Sequence, residues 1–133
     1  MDNYVIFTDS SCDIEAALLE KWGVKSVSLT FRFDGSEKEY SDRDLAAPDF
    51  YRMMREGGVS RTSAANTGDF RDAFEPALQE GKDILYIGFS SGLSNTVNAG
   101  RIAAEELEKD FPGRRVVVID TLCASAGEGM VVY

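Results

Sequence analysis

Hydroxyl side chains crowd one short segment of the sequence, Ser90-Ser-Gly-Leu-Ser94, which follows the apolar run Ile84–Phe89. An apolar run of this length predicts a buried strand, and the apolar spacing after Asn95 predicts a helix. Serine hydroxyls can hold the polar or anionic head of a ligand, and Gly92 lets the backbone approach it closely. The free amides that begin the next helix would point at the same place. The segment therefore predicts a binding loop for a polar or anionic group.

The same segment also matches the nucleophile-elbow pattern G-x-S-x-G, from Gly88 to Gly92. A serine hydroxyl is a weak nucleophile until a base activates it. The sequence contains no histidine, and Lys82 stands at the wrong end of the strand. Binding is therefore favoured over catalysis, and the chain is expected not to be an enzyme. The alternative is a hydrolase or phosphotransfer enzyme with Ser90 or Asp9 as nucleophile.

Polar residues also follow the first and last predicted strands, as Thr8–Ser11 and as Asp120-Thr121 with Ser125. In open α/β sheets, ligands bind beyond the carboxyl ends of the strands. Asp9 and Asp120 could bind Mg²⁺ through water molecules. Capping and loop bracing are the favoured roles for these two aspartates, so neither a metal nor a cofactor is expected.

Local patterns predict the elements that must position these loops. Val27–Phe33 alternates apolar and polar residues, which predicts one half-buried strand. Asp34-Gly35 predicts a tight turn into a return arm, Glu37–Tyr40. The polar segment Arg61–Asn66 predicts a loop, and Asn66 or Thr67 should cap the helix after it.

The remaining segments alternate between helices and continuous apolar strands. Ser10 or Ser11 should cap a helix that ends at Gly23, and the helix after Asn95 should turn Ile102 inward. Buried strands separated by helices are typical of parallel sheets. The sequence therefore predicts an α/β fold with a mostly parallel sheet flanked by helices, together with a small β-hairpin arm.

Composition limits the possible partners. The chain has 133 residues, 44% of them hydrophobic, and a net charge of −9. Such an acidic surface disfavours nucleic acid and anionic membranes as partners, and no stretch is long enough to span a membrane. Without an export signal, Cys12 and Cys123 are expected to be reduced thiols in the cytoplasm, with a disulfide as the alternative. The apolar end Met130–Tyr133 suggests that the chain is part of a larger protein.

Taken in order, four segments resemble motifs of the DegV family of bacterial fatty-acid-binding proteins. The segments are Thr8-Asp-Ser-Ser-Cys-Asp13, Thr62-Ser63, Ser90–Thr96, and Asp120-Thr121 followed by Ser125, Gly127 and Gly129. The chain departs from the family motifs at Ala65-Asn66, Asn95 and Thr121. Altered loop shape at these positions would affect the detailed geometry of the ligand.

The resemblance implies that residues 1–133 form a DegV-like N-terminal lobe, cut off before a second lipid-binding lobe. It implies that the family's contacts with the carboxylate of a long-chain fatty acid fall on Thr62 and Ser94, with Ser63 and Ser91 beside them. The protein would be a carrier that presents the fatty acid to a separate fatty acid kinase, which makes the acyl phosphate. A lobe of a sugar or dihydroxyacetone kinase system is a weaker alternative, because the covalent histidine of such a site is missing.

Overall fold

The computed structural model describes residues 3–133 and shows an α/β fold with two sheets. The strands are β1 (Tyr4–Asp9), β2 (Lys25–Val27), β3 (Thr30–Phe33), β4 (Glu39–Ser41), β5 (Ser60–Ser63), β6 (Asp83–Gly88) and β7 (Val116–Asp120). The helices are α1 (Ala16–Trp22), α2 (Ala47–Arg55), α3 (Thr67–Gln79), α4 (Thr96–Asp110) and α5 (Ser125–Val132), with a 3-10 turn at Ser10–Cys12. The predicted fold class is confirmed.

The larger sheet is parallel and has the strand order β2-β1-β6-β7. Successive side chains of a strand point to opposite faces, so each central strand contributes to two cores. Phe7 and Tyr86 pack with α3 and α4 on one face, whereas Ile6 and Ile87 pack with α1 and α5 on the other. This burial on both faces explains why the central strands read as continuous apolar runs.

The predicted single strand Val27–Phe33 is wrong, because the chain changes sheets within it. β2 pairs with β1 in the parallel sheet, and β3 pairs with β4 in a small antiparallel sheet. Between them, the Leu29 amide donates to the Ser10 hydroxyl at 2.9 Å instead of to a strand. The Ser10 hydroxyl therefore interrupts the strand at Leu29, although the alternation of apolar and polar residues continues without a break. The predicted antiparallel arm is present as β3 and β4.

The predicted loop Arg61–Asn66 is also wrong in its first half, which forms β5. This strand pairs antiparallel with β3, so the small sheet has the order β4-β3-β5. Arg61 also forms a two-pronged ion pair with Asp34, with N···O distances of 2.6 and 3.1 Å. All four residues of β5 are polar, so the sequence contains no apolar pattern that would predict a strand here. The strand forms because β3 supplies its hydrogen-bond partners.

The helices agree with the sequence patterns except at two places. Asn66 caps α3 through a capping box with Asp69, as predicted. Ser10 and Ser11 lie in the 3-10 turn, whose cap is Asp9, and do not cap α1. Ile102 is 45% exposed, because α4 buries small residues against α3 and the sheet instead. Among residues 3–133, every helix is too short or too polar to cross a membrane.

Gly100 of α4 tests how tightly the helix packs on the sheet. A Cβ at this position would lie 2.6 Å from the Tyr86 ring, which is fully buried and tethered through its hydroxyl. Gly100→Ala should therefore lower the free energy of unfolding by about 1–3 kcal/mol despite alanine's better helix propensity. Urea unfolding would measure this change in the free energy of unfolding. Gly127→Ala is the matched control, because its nearest contact of 3.4 Å leaves room; equal stability of the two variants would contradict the packing.

Candidate functional site

The polar loops that follow the parallel strands meet at one edge of the larger sheet. Gly88 and Asp120 are register partners at the ends of β6 and β7. The loops beyond them are joined, because the Ser90 amide donates to the Cys123 carbonyl at 2.9 Å and the Thr121 hydroxyl donates to the Gly88 carbonyl at 2.8 Å. The hydroxyl-rich segments therefore share the edge at which α/β proteins bind ligands.

Asp9 is the central acceptor of this edge and is fully buried. One carboxylate oxygen accepts the amide and hydroxyl of Ser11 at 3.1 and 2.5 Å. The other accepts the Tyr86 hydroxyl at 2.6 Å and the Phe89 amide at 2.9 Å. Asp9 thus ties the end of β1 to the end of β6 and to the start of the Ser90 loop, which agrees with the bracing role favoured from the sequence.

Glu128 is a second fully buried carboxyl at this edge, and it was not predicted as a site residue. It lies on α5, where the Thr8 hydroxyl donates to Oε1 at 3.4 Å. Burial is the main cause, and repulsion by the neighbouring Asp9 carboxylate the second, of a pKa of Glu128 that is raised to about 9. Its sequence signal is a single charged residue within the small and apolar residues of α5.

An apolar cleft opens between the two sheets, with a volume of about 440 Å³. Its apolar lining comes from distant segments: Ile14, Leu19, Phe31, Leu45, Phe50 and Tyr51. Phe50 of α2 packs edge-on against Phe31 of β3 at a ring-centroid distance of 5.0 Å, so α2 forms one wall. A cleft of this size and lining suits an apolar ligand of moderate length.

Thr62 belongs to the lining of this cleft. It is the register partner of Phe31 in the small sheet, and directly opposed residues of an antiparallel pair point to the same face. Ser63 pairs with Thr30, so its side chain points to the opposite face of the sheet. Of these two predicted contacts, the structure places Thr62 in the cleft and Ser63 behind it.

Thr62 also lines a second cleft, with a volume of about 430 Å³. Ser10, Ser11 and Ser125 contribute hydroxyls to it, and Phe89 reaches it from the start of the Ser90 loop. Thr62 is therefore the predicted site residue that the two clefts share. Ser91 and Ser94 line neither cleft.

Ser94 lies half-buried immediately before α4. Its oxygen accepts the Thr96 amide at 3.2 Å and lies 2.8 Å from the Thr96 hydroxyl. The hydrogen bond between the two hydroxyls can run in either direction, and the fully buried Thr96 hydroxyl is satisfied when it donates to Ser94. In this arrangement the Ser94 proton remains available to donate to a ligand carboxylate, which is the chemistry expected of a head-group contact.

Ser91 is engaged by Asp120 at the end of β7. The Ser91 amide donates to Asp120 Oδ1 at 3.2 Å, and the Leu122 amide donates to the same oxygen at 3.0 Å. Hydrogen bonding from the Ser91 side chain, followed by these backbone amides, holds the pKa of Asp120 below its ordinary value. Ser91 and Asp120 therefore brace the Ser90 loop from the β7 side.

The nucleophile-elbow alternative finds no geometric support at Ser90. This serine is 5% exposed, and its oxygen accepts the Gly92 amide at 3.2 Å. A catalytic serine at an elbow needs an exposed hydroxyl on a strained turn. Left-handed backbone is found at Asp13, Leu122 and Ser125 among the described non-glycine residues, and Ser90 is outside this set. Its side chain closes its own loop.

The two aspartates and two cysteines occupy bracing and packing positions. Within residues 3–133, histidine, cysteine and acidic side chains form no group of three or more suited to a metal ion. Cys12 is a buried free thiol in the α1–α5 core, and burial raises its pKa. Cys123 is a half-buried free thiol. The two thiols are not bonded to each other in the structure, and their reduced state in the cell stays a prediction.

Comparison with known sequences identifies relatives along the whole chain. A family model described as "Uncharacterised protein, DegV family" matches residues 3–133. A DegV domain-containing protein of Clostridium perfringens is 37% identical over 134 residues, covering 100% of this chain and 46% of the relative. One from Caldanaerobacter subterraneus is 33% identical, covering 99% and 45%. The chain thus spans slightly less than half the length of these relatives.

Solved structures agree with the sequence comparison. A stearic acid-binding protein from Eubacterium ventriosum superposes with a TM-score of 0.90 at 25% identity, over 97% of this chain and 45% of the other. A fatty-acid-binding DegV family protein from Thermus thermophilus gives a TM-score of 0.81 at 33% identity, over 98% and 45%. The sequence match and the shared fold lead to one conclusion: the chain belongs to the DegV family.

Proposed function

We propose that this chain is the N-terminal lobe of a cytoplasmic fatty-acid carrier, which holds a long-chain fatty acid and presents it to a fatty acid kinase. The observation that carries the proposal is the apolar cleft with Thr62 in its lining, beside a hydroxyl-rich strand edge. The two structural relatives described as fatty-acid-binding support the same ligand class. A carrier role needs no catalytic base, which fits a histidine-free chain.

The head group is proposed to sit at Thr62 and Ser94. Both hydroxyls can donate to a carboxylate, and such charge-assisted hydrogen bonds are strong when water is excluded. Ser91 is proposed to act by bracing the loop through Asp120, and Ser63 by continuing β5 beside Thr62. Completion of the site by a second lobe, outside these residues, is part of the proposal.

The acyl chain is proposed to lie along the apolar cleft. The aromatic wall of Phe31 and Phe50 supplies apolar contact, and burial of each methylene stabilises the complex by about 0.8 kcal/mol. Asp13, Glu15 and Asp42 also line this cleft, as does Arg43, so the charged part of its lining has an acidic excess that repels an anion placed within it. This charge pattern favours a neutral tail in the cleft and a head group on the Thr62 side.

Identification of the ligand is the direct test of this function. Full-length protein purified from its natural host should carry a long-chain fatty acid that native mass spectrometry detects and lipid extraction identifies. Addition of a fatty acid kinase and ATP should convert the bound lipid into an acyl phosphate. Protein that carries no lipid and binds no added fatty acid would refute the carrier role.

A bulky residue at Ala47 tests whether the tail occupies the apolar cleft. Ala47 lies in the lining at the start of α2, whereas its neighbour Ala46 does not. Ala47→Trp should weaken binding of a long-chain fatty acid by about tenfold or more, because it fills the cleft, and should spare shorter chains. Ala46→Trp is the matched control. Equal affinities of the two variants, measured by displacement of a fluorescent fatty acid, would place the tail elsewhere.

A further inference from the structure

Two carboxyl groups are buried together where α5, which packs on the 3-10 turn and β6, meets the end of β1 through Thr8. Asp9 and Glu128 are each 0% exposed, and they come from opposite ends of the chain. Asp9 is surrounded by donors from Ser11, Tyr86 and Phe89. Glu128 receives the Thr8 hydroxyl at Oε1, while its Oε2 has no hydrogen-bond partner among the described residues.

The charges around Glu128 make an ionised carboxylate costly. Through-space repulsion reaches it from Asp9 on β1 and from Asp13 after the 3-10 turn. The other titratable groups here are the Cys12 thiol on that turn and the Tyr86 hydroxyl on β6, and the pKa of each is raised by burial first and by nearby acidic groups further. None of these groups is a cation. A buried anion without a counter-charge is destabilising, whereas a protonated carboxyl can donate to a neighbouring acceptor.

We propose that Glu128 is protonated in the folded protein, that its carboxyl donates this proton to Asp9, and that the shared proton clamps α5 onto the end of β1. Two carboxylates are both acceptors, so they satisfy each other only with a proton between them. The otherwise unpartnered Oε2 of Glu128 is the atom that would carry it. Asp9 is assigned the acceptor role because its other contacts are all donors.

The clamp acts on a helix that is exposed on one side and packed on the other. The exposed side chains of α5 include Met130 and Val131, and its inner side is tightly packed, since a Cβ at Gly129 would lie 2.9 Å from the Cys12 carbonyl. Ala124 and Ser125, at the start of α5, line the second cleft. Loss of the proton would put two negative charges face to face and loosen α5, and with it this side of the cleft.

The sign of the pH effect follows from the two states. The pKa of Glu128 is about 9 in the folded protein. An unfolded chain releases the same proton near a pKa of about 4.3. As pH rises between these two values, the ionisation of Glu128 progressively destabilises the folded state. The unfolding equilibrium constant increases by up to about tenfold for each pH unit. Below this window both states are protonated and the effect disappears.

Glu128→Gln in the full-length protein isolates this proton, because glutamine keeps the shape and donates permanently. Hydrogen–deuterium exchange of the peptide covering α5 should be faster in the wild type than in the variant, and their ratio should grow from pH 5 to pH 9. Infrared spectra at pH 7 should show a protonated-carboxyl stretch that Glu128→Gln removes. Glu105→Gln, on the exposed face of α4, is the control and should follow the wild type.

Two results would overturn the proposal. One is a wild-type to Glu128→Gln exchange ratio that stays constant across this pH range. The other is an infrared spectrum in which the wild type lacks the protonated-carboxyl band at pH 7. Asp9→Asn gives an independent readout, because removal of the facing charge should shift the loss of that band to lower pH.

Discussion

Full-length protein carrying both Thr62→Ala and Ser94→Ala should bind a long-chain fatty acid at least about a hundredfold more weakly than the wild type. A hydrogen bond to a charged group contributes about 1.5–3 kcal/mol, so loss of two such bonds exceeds the 2.8 kcal/mol or so that a hundredfold change requires. Thr62 lies in the cleft lining, and Ser94 has a proton available to a ligand when the Thr96 hydroxyl donates to it. Titration with a fluorescent fatty acid measures the affinity.

Each hydroxyl also has a control in the same chain. Ser36→Ala removes an exposed hydroxyl on the β3–β4 turn, away from both clefts, and should leave affinity unchanged. Ser63→Ala should have a smaller effect than Thr62→Ala, because strand alternation turns Ser63 to the opposite face. Wild-type affinity in the double variant would refute the head-group assignment, and a larger effect at Ser63 would refute the facing of β5.

Asp9→Ala should lower the free energy of unfolding by about 3 kcal/mol. The substitution leaves the Tyr86 hydroxyl and the Phe89 amide without their acceptor in a buried place, and each such loss costs about 1–3 kcal/mol. Because Glu128 is proposed to be protonated, Asp9→Ala also removes the acceptor of its proton, which adds to this cost. Asp9→Asn keeps the shape and one acceptor oxygen, so its effect should be intermediate.

Chemical denaturation of the full-length protein measures the loss, and Asp72→Ala on the exposed side of α3 is the matched control. Fatty-acid affinity should fall with stability in Asp9→Ala, because the Phe89 amide that Asp9 holds begins the Ser90 loop. An Asp9→Ala protein as stable as Asp72→Ala would show that the carboxylate is not the brace of this edge. Normal fatty-acid affinity in a destabilised Asp9→Ala protein would show that the hydrogen bonds of Asp9 stabilise the fold without positioning the Ser90 loop for binding.

Local sequence patterns were sufficient for the parallel sheet and for the site edge. Burial on both faces makes the central strands β1 and β6 apolar-rich runs, and the carboxyl ends of parallel strands necessarily share one edge. The hydroxyl-rich loops Thr8–Ser11 and Ser90–Thr96 could therefore be assigned to that edge before any contact was known. The absence of histidine was equally decisive, because it removed the usual base for Ser90.

Only the tertiary structure decided features that depend on partners distant in the chain. β5 is a strand because β3 offers it hydrogen bonds, and its own residues are all polar. The apolar cleft is formed by short segments between residues 10 and 62, none of which is distinctive alone. The hydrogen bond between Thr8 and Glu128 joins residues 120 positions apart.

The physical reason is the same in each case. A sequence pattern records the periodicity with which one element faces the core, and it carries no direct record of which other element lies opposite. Thr62 and Ser94 were predicted as head-group contacts from the resemblance to the DegV family, whereas the protonation proposed for Glu128 was not predicted, because it depends on Asp9 being buried beside it. The chemistry of single residues was thus readable from the sequence, and the chemistry of pairs required the fold.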